Sequence, residues 1–220
     1  MSKVYQVERV QEVYVVIDSA RLSGQPLHGT AGEQRLETFI KAALVMGMAT
    51  RNQGDLFGLL TFSHKVDTFL RARGGKAHFN GCRDHLSMLE AQSVTPDFRE
   101  LTVFIRQRLK KRALLVIMTS LDDPILAEEL VKSLELITRH HLVMVMVMEP
   151  TTAKPLFSDE QVTNLDDIRR KLIGHMQDQA LRTIEQDLRN RGVTLIRANN
   201  ANLSLQMVQQ YMSVKARQIL

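Results

Sequence analysis

The sequence predicts an α/β protein, a Rossmann-like, doubly wound and mostly parallel sheet of about six strands. Three observations carry this expectation. Apolar runs of strand length alternate with helical patterns along the chain, which is the order of βαβ units. The runs Val13–Ile17, Ala113–Thr119 and Leu142–Met148 are continuous rather than alternating, as strands covered on both faces must be. A chain of 220 residues with 44% apolar content can bury one substantial core. No repeat or low-complexity stretch interrupts the order, so residues 1–220 are read as a single domain.

The elements follow in order. The first strand is Val13–Ile17 and ends at Asp18. A loop, Ser19–Gly32, is broken by Gly24, Pro26, Gly29 and Gly32. The helix Glu33–Arg51 places Leu36, Phe39, Ile40, Ala43, Leu44 and Gly47 on one face at three- and four-residue steps. Gly54-Asp55 ends it and opens a second strand, Leu56–Phe62. The tight Ser63-His64-Lys65 turn leads to Val66–Leu70, which reads as an antiparallel edge hairpin. Beyond Gly74-Gly75, helices are expected over Phe79–Ala91 and Phe98–Lys111, the latter capped by Asp97. The fourth strand is Ala113–Thr119, and Asp122-Asp123-Pro124 starts a helix to Thr138. The fifth strand is Leu142–Met148, closed by Glu149-Pro150, with a loop containing Pro155 behind it. A long helix, Asp166–Arg191, precedes a sixth strand, Val193–Ile196, and a last helix, Leu203–Arg217.

Composition narrows the function classes. The formal charge is +5, but the basic residues are spread out. The densest group, Arg106, Arg108, Lys110, Lys111 and Arg112, ends a helix, where cations complement the dipole. No aromatic residues interleave with it, so no nucleic-acid partner is expected. Cys82 is the single cysteine, which excludes an internal disulfide and favours a reducing, cytoplasmic compartment. The N-terminus lacks the apolar core of a secretory signal, and no apolar run nears the roughly 18 residues that cross a bilayer. The glycines form no phosphate-cradling G-x-G-x-x-G or G-x-x-x-x-G-K-[ST] pattern, and G-x-S-x-G is absent. His140 and His141 are neighbours that a strand would point to opposite faces, so they read as a strand start rather than a metal pair.

Four segments in order, YQVERVQEVYVVIDSARLSG, GDLFGLLTFSHKV, RALLVIMTSLDDP and VQQYMSVKARQIL, resemble the domain-of-unknown-function 58 family. Its members end in a von Willebrand factor A-like domain. The longer ones carry membrane helices and a small β domain before this region, so the resemblance implies an isolated C-terminal domain or a short member. It also implies a protein partner, a MoxR-type AAA+ ATPase, and a role in chaperone-like assembly.

The resemblance further implies where a site would lie. Von Willebrand A sites hold Mg²⁺ with a D-x-S-x-S loop after the first strand, a Thr from a second loop and an Asp after the fourth strand. Here Asp18 matches the first Asp, and Thr95 takes the place of the Thr. Ala20 and Leu22 replace the two serines, and Ser120 stands where many relatives have Asp. That leaves too few oxygen donors for an octahedral cation, so no cofactor is expected. Asp122 or Asp123 reaching in from the next residues, or Ser19 or Ser23 from a differently bent loop, would be needed to restore Mg²⁺. Without metal, Asp18 would cap the following helix, bond loop N–H groups or pair with Arg21.

The expected function is therefore a non-catalytic interaction module. Its docking surface would be the loops Ser19–Gly32 and Ser120–Pro124, with Ser19, Arg21, Ser23 and Asp123 facing the partner. The alternative is a Mg²⁺-dependent phosphohydrolase or nucleotide-binding enzyme on the same fold, which would need Asp18, Asp122 and Asp123 to converge on a cation. The sequence does not set the oligomeric state.

Overall fold

A computed structural model describes residues 10–27, 32–148 and 165–217. Gly29, the Glu149-Pro150 strand stop, the Pro155 loop, residues 5–9 of the first matched segment and residues 218–220 of the last lie outside them. The elements are β1 (Glu12–Asp18), α1 (Arg35–Asn52), β2 (Leu56–Phe62), β3 (Val66–Arg73), α2 (Lys76–Ser87), α3 (Phe98–Arg108), β4 (Leu114–Thr119), α4 (Pro124–Thr138), β5 (Leu142–Met148), α5 (Leu165–Asn190), β6 (Thr194–Ala198) and α6 (Leu203–Ala216).

The six strands form one sheet in the order β3-β2-β1-β4-β5-β6. Every pairing is parallel except that of β2 with β3. This is the doubly wound arrangement that the sequence predicts. From Val13 to Asp18, β1 is buried throughout, because side chains of both parities meet helices. Val13, Val15 and Ile17 pack with α1, α2 and α6, through Phe39, Cys82 and Met207 among others. Tyr14 and Val16 pack with α3, α4 and α5, through Phe98, Leu130 and Leu188. Most charged residues of the helices lie outward, with Arg35 of α1 and Asp178 of α5 as buried exceptions.

Tyr14 shows how closely the edge hairpin is fitted. A Cβ at Gly58 would lie 2.4 Å from its ring, so only glycine lets the ring pass over β2. The Tyr14 hydroxyl accepts from the Ala72 N–H at 3.2 Å, and the ring stacks on Phe69 with centroids 6.1 Å apart.

Several bounds differ from expectation. The second helix starts at Lys76 and ends at Ser87, three residues ahead of its expected start. Gly75, at φ 96, is its N-cap and sets the start directly after the glycine pair. This helix buries only Cys82 and Leu86, so its apolar periodicity is faint. Strand β3 runs on to Arg73, beyond Leu70, since a half-exposed edge strand alternates and gives no continuous run. The third helix stops at Arg108, short of the basic cluster's Lys110, Lys111 and Arg112. Asp97 is its cap, accepting from the Glu100 N–H at 2.8 Å.

At the amino edge of the sheet, the last helix is tied down by a buried carboxylate. Asp55 is 3% exposed. It accepts from the Gln11 N–H at 3.1 Å, from the Tyr211 hydroxyl and from Lys215 Nζ at 3.1 Å. Burial and the Asp55 carboxylate hold the Tyr211 phenol far above its ordinary range, so it stays a donor. On the opposite layer, Asp178 of α5 accepts from Arg182 at 2.8 Å and from Arg197 of β6 at 3.0 Å. The Asp55 cluster should behave as a unit. Asp55→Ala is expected to cost about 3–5 kcal/mol, because it leaves the buried Tyr211 phenol and the Gln11 N–H without their acceptor and takes the counter-charge from Lys215, which keeps only the Gln53 carbonyl. Tyr211→Phe removes one donor of three and should cost about 1–2 kcal/mol. Urea unfolding of both variants checks the ranking.

Candidate functional site

The connection from β1 leads to α1 on one face of the sheet, and that from β4 leads to α4 on the other. The crevice between their carboxyl ends is where this class of sheet binds ligands. Strand register brings Asp18 to it. Ile17 pairs with Met118, so the next residues, Asp18 and Thr119, stand side by side. Both point to the face of α3, α4 and α5. Ser120, one residue further, turns towards α1.

Asp18 is 1% exposed, and both of its oxygens are taken. Oδ1 accepts from the Ala20 N–H at 2.8 Å, a short loop-closing bond. Oδ2 accepts from the Thr119 hydroxyl at 2.6 Å. Of the roles open to it, bonding loop N–H groups is the one seen. It does not cap α1, and among the described residues it forms no ion pair with Arg21. Burial pushes the Asp18 carboxyl up from 3.8 to about 6, against the two hydrogen bonds, which pull it down. A cation beside it would pull it down further.

The other predicted residues are distributed around this pair. Ser19 and Ser23 are fully buried, which corrects their expected place on the docking surface. The Ser19 hydroxyl donates to the Phe62 carbonyl at 3.0 Å, knitting the loop to β2. The Ser23 hydroxyl is buried and has no hydrogen-bond partner among the described residues. Arg21 is exposed, and its N–H donates to the Val94 carbonyl at 3.0 Å. Thr95, the following residue in that second loop, is exposed. Asp123 accepts from the Ile125 and Leu126 N–H groups at 2.9 and 3.4 Å and so caps α4. His141 is buried at the head of β5, its Nδ1 without a partner among the described residues, and desolvation lowers its pKa.

Arg35 is the residue that sequence reasoning missed. Its Nη1 donates to the Ser120 hydroxyl at 2.9 Å and pairs with Asp122 Oδ2 at 2.5 Å. The signal was available. Arg35 opens a helix, where the dipole disfavours cations, and it stands beside the apolar stripe begun by Leu36.

These contacts decide whether the donor set suits Mg²⁺. An octahedral ion needs several oxygens free to turn towards it. Asp18 has both oxygens taken by Thr119 and Ala20, Asp122 has Oδ2 paired with Arg35, and Asp123 has Oδ1 on the first turn of α4. Ala20 and Leu22 offer no oxygen, and Leu22 belongs to the core. The residues present do not fit the ion. No group of three or more His, Cys, Asp or Glu side chains suited to a metal occurs among the described residues.

Beside the crevice lie two openings. One, about 650 Å³, runs between the first loop, α1 and the second loop, lined by Arg21, Gln25, Gln34, Glu37 and Gln92. The other, about 350 Å³, lies between α4 and α5 and is mostly apolar, with Leu121, Pro124, Ile173, Met176, Leu181 and Ile184. Ile173 and Met176 are 56% and 62% exposed there, and nearby Ile125 is 77% exposed.

Residues 1–192 match the model of the family described as Protein of unknown function DUF58. No curated protein matches the sequence. Among solved structures, the chain is similar to the conserved hypothetical protein BatB from Bacteroides thetaiotaomicron, with TM-score 0.57, 14% identity, and 94% of this chain and 99% of that one covered. It is similar to an aerotolerance-related membrane protein from Bacteroides fragilis NCTC 9343, with TM-score 0.53, 15% identity, and coverage of 91% and 97%. It is also similar to the SpRpn10 VWA domain, with TM-score 0.52, 10% identity, and coverage of 92% and 95%. At such identities the likeness establishes the von Willebrand A-like fold. No described helix is long and apolar enough to cross a membrane.

The Asp18 carboxyl carries a stability consequence. The folded protein holds this proton more tightly than the unfolded chain, so the group's contribution is best below about pH 4, declines as pH rises through about 6 and stays low above. The loss at neutral pH is about 3 kcal/mol at most, from a shift of some two pH units. Asp18→Asn keeps the size and sheds the charge. It is expected to raise the melting temperature at pH 7.5 and to flatten its dependence between pH 4 and 6, measured by calorimetry across that range.

Proposed function

The chain belongs to the DUF58 family, and from that premise we propose that it is a non-catalytic protein-interaction module. Its docking surface is the carboxyl edge of the sheet, and its partner is a MoxR-type AAA+ ATPase acting in chaperone-like assembly. The partner's identity rests on the resemblance. The surface rests on the edge itself.

One observation carries the reading. Each acidic group of this edge has an oxygen engaged inside the chain, by Thr119, Arg35 or the α4 amides, and beside the partly exposed Asp122 the edge turns apolar and cationic side chains outward. Ile125 stands 77% exposed at the start of α4, and Arg21 is exposed on the facing loop. An exposed isoleucine beside a shallow apolar groove favours a protein surface over a small polar substrate. A reacting centre would instead need an uncommitted base or nucleophile within reach of such a substrate. On this reading the edge holds no divalent cation. The Mg²⁺-dependent phosphohydrolase would require Asp18, Asp122 and Asp123 to leave their present partners, so it is not adopted. Whether longer relatives anchor this domain to a membrane does not alter the argument.

The test uses the full chain and a MoxR-type ATPase in its nucleotide-bound and nucleotide-free forms. Biolayer interferometry is expected to show saturable binding. Arg21→Glu and Ile125→Asp should each weaken it at least tenfold, about 1.4 kcal/mol, with melting temperatures unchanged. No binding in any nucleotide state, or binding indifferent to both variants, would sink the proposal.

A further inference from the structure

The edge where the fold would place a divalent ion carries a cation built into the chain. Arg35 is always charged, so a largely buried guanidinium must be matched by acceptors. Its side chain is 10% exposed, and both acceptors come from the loop after β4. The Ser120 hydroxyl accepts at 2.9 Å, and the Asp122 carboxylate pairs at 2.5 Å.

The geometry also divides the oxygen donors into two closed sets. Asp18 and Thr119 face α3, α4 and α5, where each satisfies the other at 2.6 Å. Ser120 and Asp122 are drawn to the α1 side by Arg35. A single ion would have to gather donors from both sets, across the sheet end and past apolar Ala20 and Leu22.

We propose that the Arg35 guanidinium is the resident cation of this edge. It takes the donors of loop 120–123 that a metal would otherwise collect, and so fixes that docking loop against α1 without metal. The proposal deepens the docking reading, since the same loop carries Asp123 and leads to Ile125. Its consequence is a surface insensitive to chelators and to divalent ions, held by an ion pair whose strength follows ionic strength.

Hydrogen exchange at the amides of residues 120–126 tests this on the full chain, with thermal melting alongside. In the unaltered protein, exchange is expected to be the same in EDTA and in millimolar Mg²⁺. Arg35→Gln should speed exchange of the loop about tenfold or more. Arg35→Lys should fall between, because an ammonium keeps the charge but not the fork that reaches two acceptors. If Arg35→Gln does not fold, Arg35→Lys and the comparison of EDTA with Mg²⁺ still decide. Slower exchange on adding Mg²⁺ to the unaltered protein would overturn the proposal, as would loop exchange unchanged in the Arg35 variants. ATPase binding reads the docking surface separately. Loop exchange unchanged in the Arg35 variants, with ATPase binding by the unaltered protein intact, refutes the Arg35 role alone; loop protection lost in Arg35→Gln, with no ATPase binding by the unaltered protein, refutes the docking role alone.

Discussion

The pairing of β1 with β2 on one side and β4 on the other is the constraint from which the remaining structure follows. A strand inside a parallel sheet has no face left for water. Its alternate residues therefore sort two separate cores, one under α1, α2 and α6 and one under α3, α4 and α5. The same alternation continues past the end of the strand. It sends Asp18 and Thr119 to one side and Ser120 to the other. The chemistry of the edge is thus decided by parity before any loop conformation enters.

Two buried charges at this edge are handled differently. Asp18 has hydrogen-bond donors but no opposite charge, and desolvation makes the proton its cheapest partner. Arg35 cannot shed its proton, so the fold supplies Ser120 and Asp122. Asp18 keeps both oxygens inside the fold, whereas Asp122 stays partly exposed beside its bond to Arg35. Arg21, Asp122, Pro124 and Ile125 are exposed there. The likeness to a VWA domain concerns the fold.

The sheet was legible in the sequence because strands buried on both faces have no choice but to be continuous apolar runs. Leu114–Thr119 and Leu142–Met148 announce themselves within a residue of their ends. Elements that bury little were less legible. Helix α2 owes its start to Gly75 rather than to periodicity, and β3 alternates as an edge should. At the site, Asp18 was visible because a lone acid closing an apolar strand is conspicuous. Its partner Thr119 and the Arg35 contact were not, since they join residues 101 and 85 positions apart. Hydroxyl residues in a loop also look like surface. Ser19 and Ser23 are instead packed inside, because this loop folds back over the end of β2.

The family match stops at residue 192, yet β6 and α6 lie beyond it. Strand β6 occupies the outer side of β5, pairing from Met144 to Met148. A fragment cut at the family boundary would turn β5 into a margin of the sheet, with an open row of amides beside methionine and valine. It would also lose the aromatic cap that Tyr211 places over the first core. Such a margin invites edge-to-edge addition of further copies. With β6 present, the margin is a short strand with an exposed Thr194 and a half-buried Arg197 in place of the fully apolar β5.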